Sequence, residues 1–309
     1  MRRITAIYLG LMLLGGGFFL LAPLLYRSLS LFVFFLMYLA LTQSFNLIYG
    51  YTGYVPFGHV AFFGVGAYTT AILRANYGVP MLPAILGGAV VAQLLALLVM
   101  PTLRLRGVYF AIVNFSISEA MRVICANLPT DFSGGSFGIS LSRYYNPVAS
   151  YYAMLAVAAL ALLTVWWVTR ARLHIRLKAI KEDDLAAEVL GIDTTRAKAL
   201  AWQLTALFPG LAGGVNAWFT AVVDPSTAFN SVITVTTITY TVFGGAGTLI
   251  GPVLGTLVLY ALNDFVWSLF PFANLLVFGL VLTGVVLLMP QGVVGLLVSR
   301  FPRLRSAAL

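Results

Sequence analysis

The sequence is short of charge. Only 9% of its 309 residues are Asp, Glu, Lys or Arg, while 61% are hydrophobic; soluble domains carry roughly 25% charged and 45–50% apolar residues. A chain this poor in charge cannot cover a water-facing surface, which excludes a soluble enzyme and leaves an integral membrane protein. Cysteine is limited to Cys125, so there is no internal disulfide, CxxC redox pair or cysteine zinc site. The only histidines are His59 and His174, and neither an HExxH nor an EF-hand pattern occurs, so nothing supports a metal centre. A GxxxxGK[ST] loop is also missing. GGAGTLIG has glycines but no lysine to reach a phosphate, so ATP is not held here in that manner.

What is present is a series of long apolar runs. Ten segments emerge, at about 4–25, 29–49, 57–73, 82–101, 107–127, 149–169, 197–222, 231–250, 252–270 and 272–290, since a span needs roughly 20 apolar residues to cross about 30 Å. The first, after MRR, is longer than the apolar core of a signal peptide and is read as an uncleaved span. With the N-terminus inside, 14 of the 18 Lys and Arg residues fall in cytoplasmic segments and 3 in outer loops, the bias of the positive-inside rule. The same rule explains the net charge of +9 without nucleic acid. Both termini and the stretch 170–196 are thus expected in the cytoplasm, with an outer loop at 128–148. The fold class is an all-α polytopic membrane protein of about 8–10 transmembrane helices, some short or discontinuous, in a single domain over 1–309.

Glycine interrupts two segments, FGHVAFFGVGAY (57–68) and VFGGAGTLIGP (242–252). Glycine exposes backbone, which membrane depth tolerates only against protein or a wet cavity. Two readings stand together: close packing through small residues, or discontinuous segments along a solute path. GGSFG (134–138) matches the GxSxG nucleophile elbow, with Ser136 at its centre. That motif needs a strand–turn–helix setting and a nearby histidine. Both histidines fall near the other side of the membrane, so a glycine-rich outer turn is expected instead.

Polar groups inside apolar spans are costly and therefore informative. Asn114 and Ser118 share a helix face, and Glu119 is three residues from Arg122, a pairing distance. Gln43, Asn46 and the threonine run VITVTTITYT (232–241) offer further hydrogen bonds. The candidate solute-path residues are Gln43, Asn46, His59, Asn114, Ser118, Glu119, Thr237 and Tyr240; helix-to-helix ties are the competing reading.

Residues 172–198 hold 11 of the 27 charged residues. Asp184 is placed to cap a short helix that Gly191 would close as its C′ residue. Leu185, Ala186, Val189 and Leu190 form a narrow apolar stripe with Glu188 beside it. A helix this short is marginal alone, and an apolar stripe suits a partner's groove. Asp193, Thr194 and Thr195 offer a second cap to the long span that follows.

FGHVAFFGVGAYTTAIL, LRGVYFAIVNFSISEAMRVI, IRLKAIKEDDLAAEVLGIDTTRAKALAWQLTALFPGLAGGV and VFGGAGTLIGPVLGTLVLYALND, in that order over about 38–297, resemble the permease subunit, of the LivM type, of bacterial branched-chain amino-acid ABC importers. The resemblance implies a non-enzymatic transport subunit in the bacterial inner membrane. Its implied partners are a second, LivH-like permease, two cytoplasmic ATPases that bind ATP and Mg, and an external solute-binding protein. LAAEVLG matches the family's cytoplasmic EAA-type loop, which makes Ala186, Ala187 and Gly191, with Asp184, Leu185 and Glu188, the ATPase-coupling segment. Leu185 stands where glutamate is usual, and VNFSISE departs from the TLAF-like residues common in the family. The implied substrate is a branched-chain or similar apolar amino acid; urea and short amides, moved by similar permeases, are the alternative. A self-sufficient secondary transporter or channel is the competing class, since broken segments would serve it equally.

Overall fold

The computed structural model describes residues 16–26, 28–269, 276, 279, 280 and 283. Its helices are α1 (Gly16–Leu25), α2 (Ser30–Phe45), α3 (His59–Ala75), α4 (Met81–Leu98), α5 (Gly107–Asn127), α6 (Thr130–Ser133), α7 (Pro147–Arg170), α8 (Arg172–Glu182), α9 (Asp184–Val189), α10 (Thr194–Thr220), α11 (Pro225–Ala228), α12 (Ser231–Gly244) and α13 (Gly251–Leu269). The long helices fall on the expected apolar segments, so the protein is an all-α polytopic membrane protein. The beginning of the first segment, most of the tenth and both termini lie outside the described residues.

Four described helices are long and apolar enough to cross a membrane: Ser30–Gly50, Met81–Leu98, Gly107–Asn127 and Pro147–Arg170. The first joins α2 to a π turn, Asn46–Gly50. It is the most enclosed of the four, 78% buried, whereas Gly107–Asn127 is the least, at 22%. α3, α4 and α10 pack on one another to form the core, and α2 packs against α10 on one side and against α7, α12 and α13 on others.

The two glycine-rich segments behave differently. α3 runs unbroken, and its glycines serve close packing: a Cβ on Gly66 would strike the Gly210 carbonyl, and one on Gly213 of α10 would strike that of Phe63. The second segment is discontinuous. α12 stops at Gly244, Gly245 and Gly247 take φ of +113° and +85°, and α13 restarts at Gly251. Positive φ is open to glycine at little cost, which lets the chain turn sharply between two apolar helices.

The charged stretch and residues 128–148 lie at opposite ends of α5. At its start, Arg106 contacts Asp184 of α9. Past its end, the chain folds into α6 and a two-residue strand β1 (Ile139–Ser140), which pairs antiparallel with β2 (Val222–Val223) just after α10. GGSFG lies here as a turn, with Gly134, Gly135 and Gly138 at positive φ. Ser136 Oγ donates to the Ala126 carbonyl at 3.3 Å, while His59 pairs with Ser44 and His174 sits against Tyr51. Neither histidine is placed to activate Ser136.

Candidate coupling segment and solute path

The α8–α9–α10 corner is built from caps. The first cap is Asp183, not Asp184 as the sequence suggests: Asp183 Oδ1 accepts from the Leu185 and Ala186 amides at 2.9 and 3.1 Å. Either aspartate precedes the stripe, but Asp184 is claimed by residues distant in sequence. It accepts from Lys198 Nζ at 2.8 Å and Arg106 Nη2 at 3.0 Å. The Lys198 and Asp184 side chains are only 9% and 11% exposed, so this is a buried ion pair that fastens α9 to α10.

Gly191 closes α9 as expected, at φ +81°. Its amide donates to the Glu188 carbonyl and that of Ile192 to the Ala187 carbonyl, the double closure that a left-handed C′ residue permits. Thr194 Oγ1 donates to Glu188 Oε1 at 2.6 Å, and Asp193 Oδ1 accepts from the Arg196 amide at 2.9 Å. Ala187 is the buried residue of α9. Ala186 and Glu188 are exposed, and Leu185, Val189 and Leu190 are 61%, 88% and 80% exposed. No described element covers the stripe, while the helix that displays it is fixed from below.

α8 links this corner to the core. Lys181 Nζ donates to the Gly50 carbonyl in the π turn at 2.9 Å. Asn46 in the same turn grips the α12–α13 break, with Nδ2 donating to the Thr248 carbonyl and Oδ1 accepting from the Gly247 amide, at 2.9 and 2.8 Å. Gln43 Nε2 reaches the Leu249 carbonyl at 3.4 Å. A cavity of about 710 Å³ opens beside Lys181, between residues 52–57, the start of α5 and the α8–α9 corner. His174 on α8 packs edge-on to Tyr51 with centroids 4.7 Å apart, and its Nδ1 lacks a hydrogen-bond partner among the described residues. Burial, and next the nearby Lys178 ammonium, push its imidazole down to about 4.

Most path candidates make internal bonds. His59 Nε2 lies 3.1 Å from Ser44 Oγ. Asn114, Ser118 and Thr237 bond carbonyls of their own helices, and Tyr240 is enclosed against Tyr38. Gln43, Asn46 and His59 converge on α2 and its π turn. Glu119 differs: it pairs with Arg122 at 2.8 Å on the open side of α5, the side chains 35% and 41% exposed. Sequence reasoning missed Lys181, Lys198, Arg106 and Ser44, whose partners are too far along the chain for spacing to reveal.

Residues 27–289 match the family described as "Branched-chain amino acid transport system / permease component". Two relatives are described as the "High-affinity branched-chain amino acid transport system permease protein LivM". That of Salmonella typhimurium is 28% identical over 289 residues, which cover 83% of this chain and 67% of the relative. That of Escherichia coli is 27% identical, with the same coverage. No solved structure matches the chain. The chain belongs to the branched-chain amino acid transport permease family.

Proposed function

We propose that this chain is the membrane subunit of an ATP-driven importer of branched-chain or similar apolar amino acids. The observation that carries the reading is the uncovered stripe Leu185, Val189 and Leu190 on a helix anchored to the core. Exposed apolar side chains on a fixed helix fit a partner's groove, and here the partner is a cytoplasmic ATPase that binds ATP and Mg. A second permease completes the route and an external binding protein delivers the solute, in a bacterial inner membrane with both termini of this subunit inside. Movement of the docked ATPase enters at α9. It passes to α10 through Asp184–Lys198, and to the π turn and the α12–α13 break through Lys181. A bistable membrane domain needs only about 5.5 kcal/mol of differential binding to go from 1:99 to 99:1, within reach of one docked interface.

The test is reconstitution of the chain, in proteoliposomes, with the second permease, the ATPases and the binding protein. Leucine uptake should require all of them together with ATP. Uptake by this chain alone would overturn the proposal, and delivery of urea in place of leucine would overturn the substrate.

A further inference from the structure

α5 is the least buried of the spanning helices, yet it carries an ion pair on its open side. Glu119 is twelve residues from the Gly107 end, about 18 Å along the helix at 1.5 Å per residue, hence close to mid-span. A charged pair turned to lipid at that depth is costly, so this face meets protein or water. The pair is also incomplete. Arg122 Nε donates to Glu119 Oε2 at 2.8 Å; among the described residues the two terminal guanidinium nitrogens and Glu119 Oε1 have no partner. Those nitrogens form a planar fork suited to a carboxylate, and Oε1 is an acceptor suited to an ammonium.

An apolar strip continues the same face. Ile112, Phe115 and Val123 are 56%, 40% and 50% exposed, and with Ser116 and Glu119 they fall on one stripe of a 3.6-residue period. The buried side of α5, with Phe110, Asn114, Ser118 and Cys125, faces away. One surface thus offers an unsatisfied guanidinium, an unsatisfied carboxylate oxygen and apolar contact side by side.

We infer that the Glu119–Arg122 face of α5 is a binding site for the zwitterionic head of an apolar α-amino acid on the route between this subunit and the second permease. Arg122 takes the substrate carboxylate, Glu119 takes the ammonium, and the aliphatic side chain lies along Ile112, Phe115 or Val123. Neutral solutes such as urea satisfy neither charge, so the site selects for zwitterions. This rests on the import function proposed above.

The test uses the purified complex of both permeases and the ATPases, with tritiated leucine as probe and no binding protein present. Unlabelled 4-methylpentanoate, which lacks the ammonium, and leucinamide, which lacks the carboxylate, serve as competitors. The wild-type complex should bind leucine and ignore both analogues. Glu119→Gln should weaken leucine at least tenfold and allow 4-methylpentanoate to compete equally with it; Arg122→Gln should do the same for leucinamide. A purely structural pair would not change which analogue competes, so unchanged competition profiles overturn the inference. If single variants fail to assemble but the reversal Glu119→Arg with Arg122→Glu assembles and keeps the wild-type profile, the pair is an assembly contact and the inference is likewise overturned. ATP-driven leucine uptake by the wild-type complex is measured in parallel. Its failure counts against the import function, whereas normal uptake with unchanged profiles counts against this site alone.

Discussion

Replacing Lys198 by methionine keeps the length of the side chain and removes its charge. Asp184, 11% exposed, then loses its 2.8 Å partner on α10 and keeps only Arg106, itself 57% exposed. Removing one member of a buried pair costs about 3–5 kcal/mol, and the surviving Arg106 contact sets the expectation near the lower end, about 3 kcal/mol. Near 1.4 kcal/mol per tenfold, that shifts the balance between α9 fastened to α10 and α9 released by roughly 100-fold. The stripe itself is untouched, so ATPase should still co-purify, while leucine imported per ATP hydrolysed falls steeply. Unfolding in mixed detergent micelles reads the stability, and paired uptake and phosphate-release assays read the coupling. Asp184→Asn added to Lys198→Met should recover part of both, since a neutral pair leaves no stranded charge. A single variant within about 0.5 kcal/mol of wild type, the usual range of a surface change, and with normal coupling would refute the reasoning.

Val189→Asp should abolish ATPase co-purification and ATP-driven uptake while the subunit still inserts, because it puts a charge in the middle of the exposed stripe. Gly191→Pro should do the same, since proline holds φ near −65° where the chain needs +81°; membrane fractionation distinguishes this from loss of insertion. Asn46→Leu removes both grips on the α12–α13 break and leaves the Gly247 amide and Thr248 carbonyl without their partner, for about 1–3 kcal/mol per stranded group, read by unfolding in detergent. His174 in the folded chain sits at about 4, below its ordinary value near 6.5. The folded state therefore binds fewer protons than the unfolded one, and the stability due to neutral His174 is complete above about 6.5 and declines as pH falls toward 4. Thermal melts of wild type against His174→Asn over that window should show a steeper acid loss in the wild type.

Helix positions were legible in the sequence because apolar runs and their breakers are local. The two glycine-rich segments were not separable, because the deciding contacts are remote: Gly66 faces Gly210 on another helix, whereas Gly245 and Gly247 turn the chain on their own. The cap was misplaced by one residue for the same reason. Asp183 and Asp184 are equivalent to a spacing rule, and only Lys198 and Arg106 separate them. The stripe and Gly191 were readable because they depend on neighbours within one helix turn. Whether the stripe was covered was not, since exposure is decided by every other element.

α10 carries Pro209 in its interior. Proline has no amide to donate to the carbonyl four residues back, here that of Thr205, and an open carbonyl mid-helix is a place to bend. The residues after Pro209 are wedged between two neighbouring helices: a Cβ on Gly210 would strike Ala92 of α4, and one on Gly213 the Phe63 carbonyl of α3. A helix so held moves as one piece from its Asp193 cap inward. The α12–α13 break is held differently, through two side-chain grips from Asn46 and one from Gln43 onto bare backbone. Under the proposed coupling, force from an ATPase docked at α9 would meet a stiff lever in α10 and, through Lys181 and the π turn, a joint held by few bonds. Relative movement within the subunit should concentrate at residues 245–250, where hydrogen exchange of the Gly247 amide reports it directly.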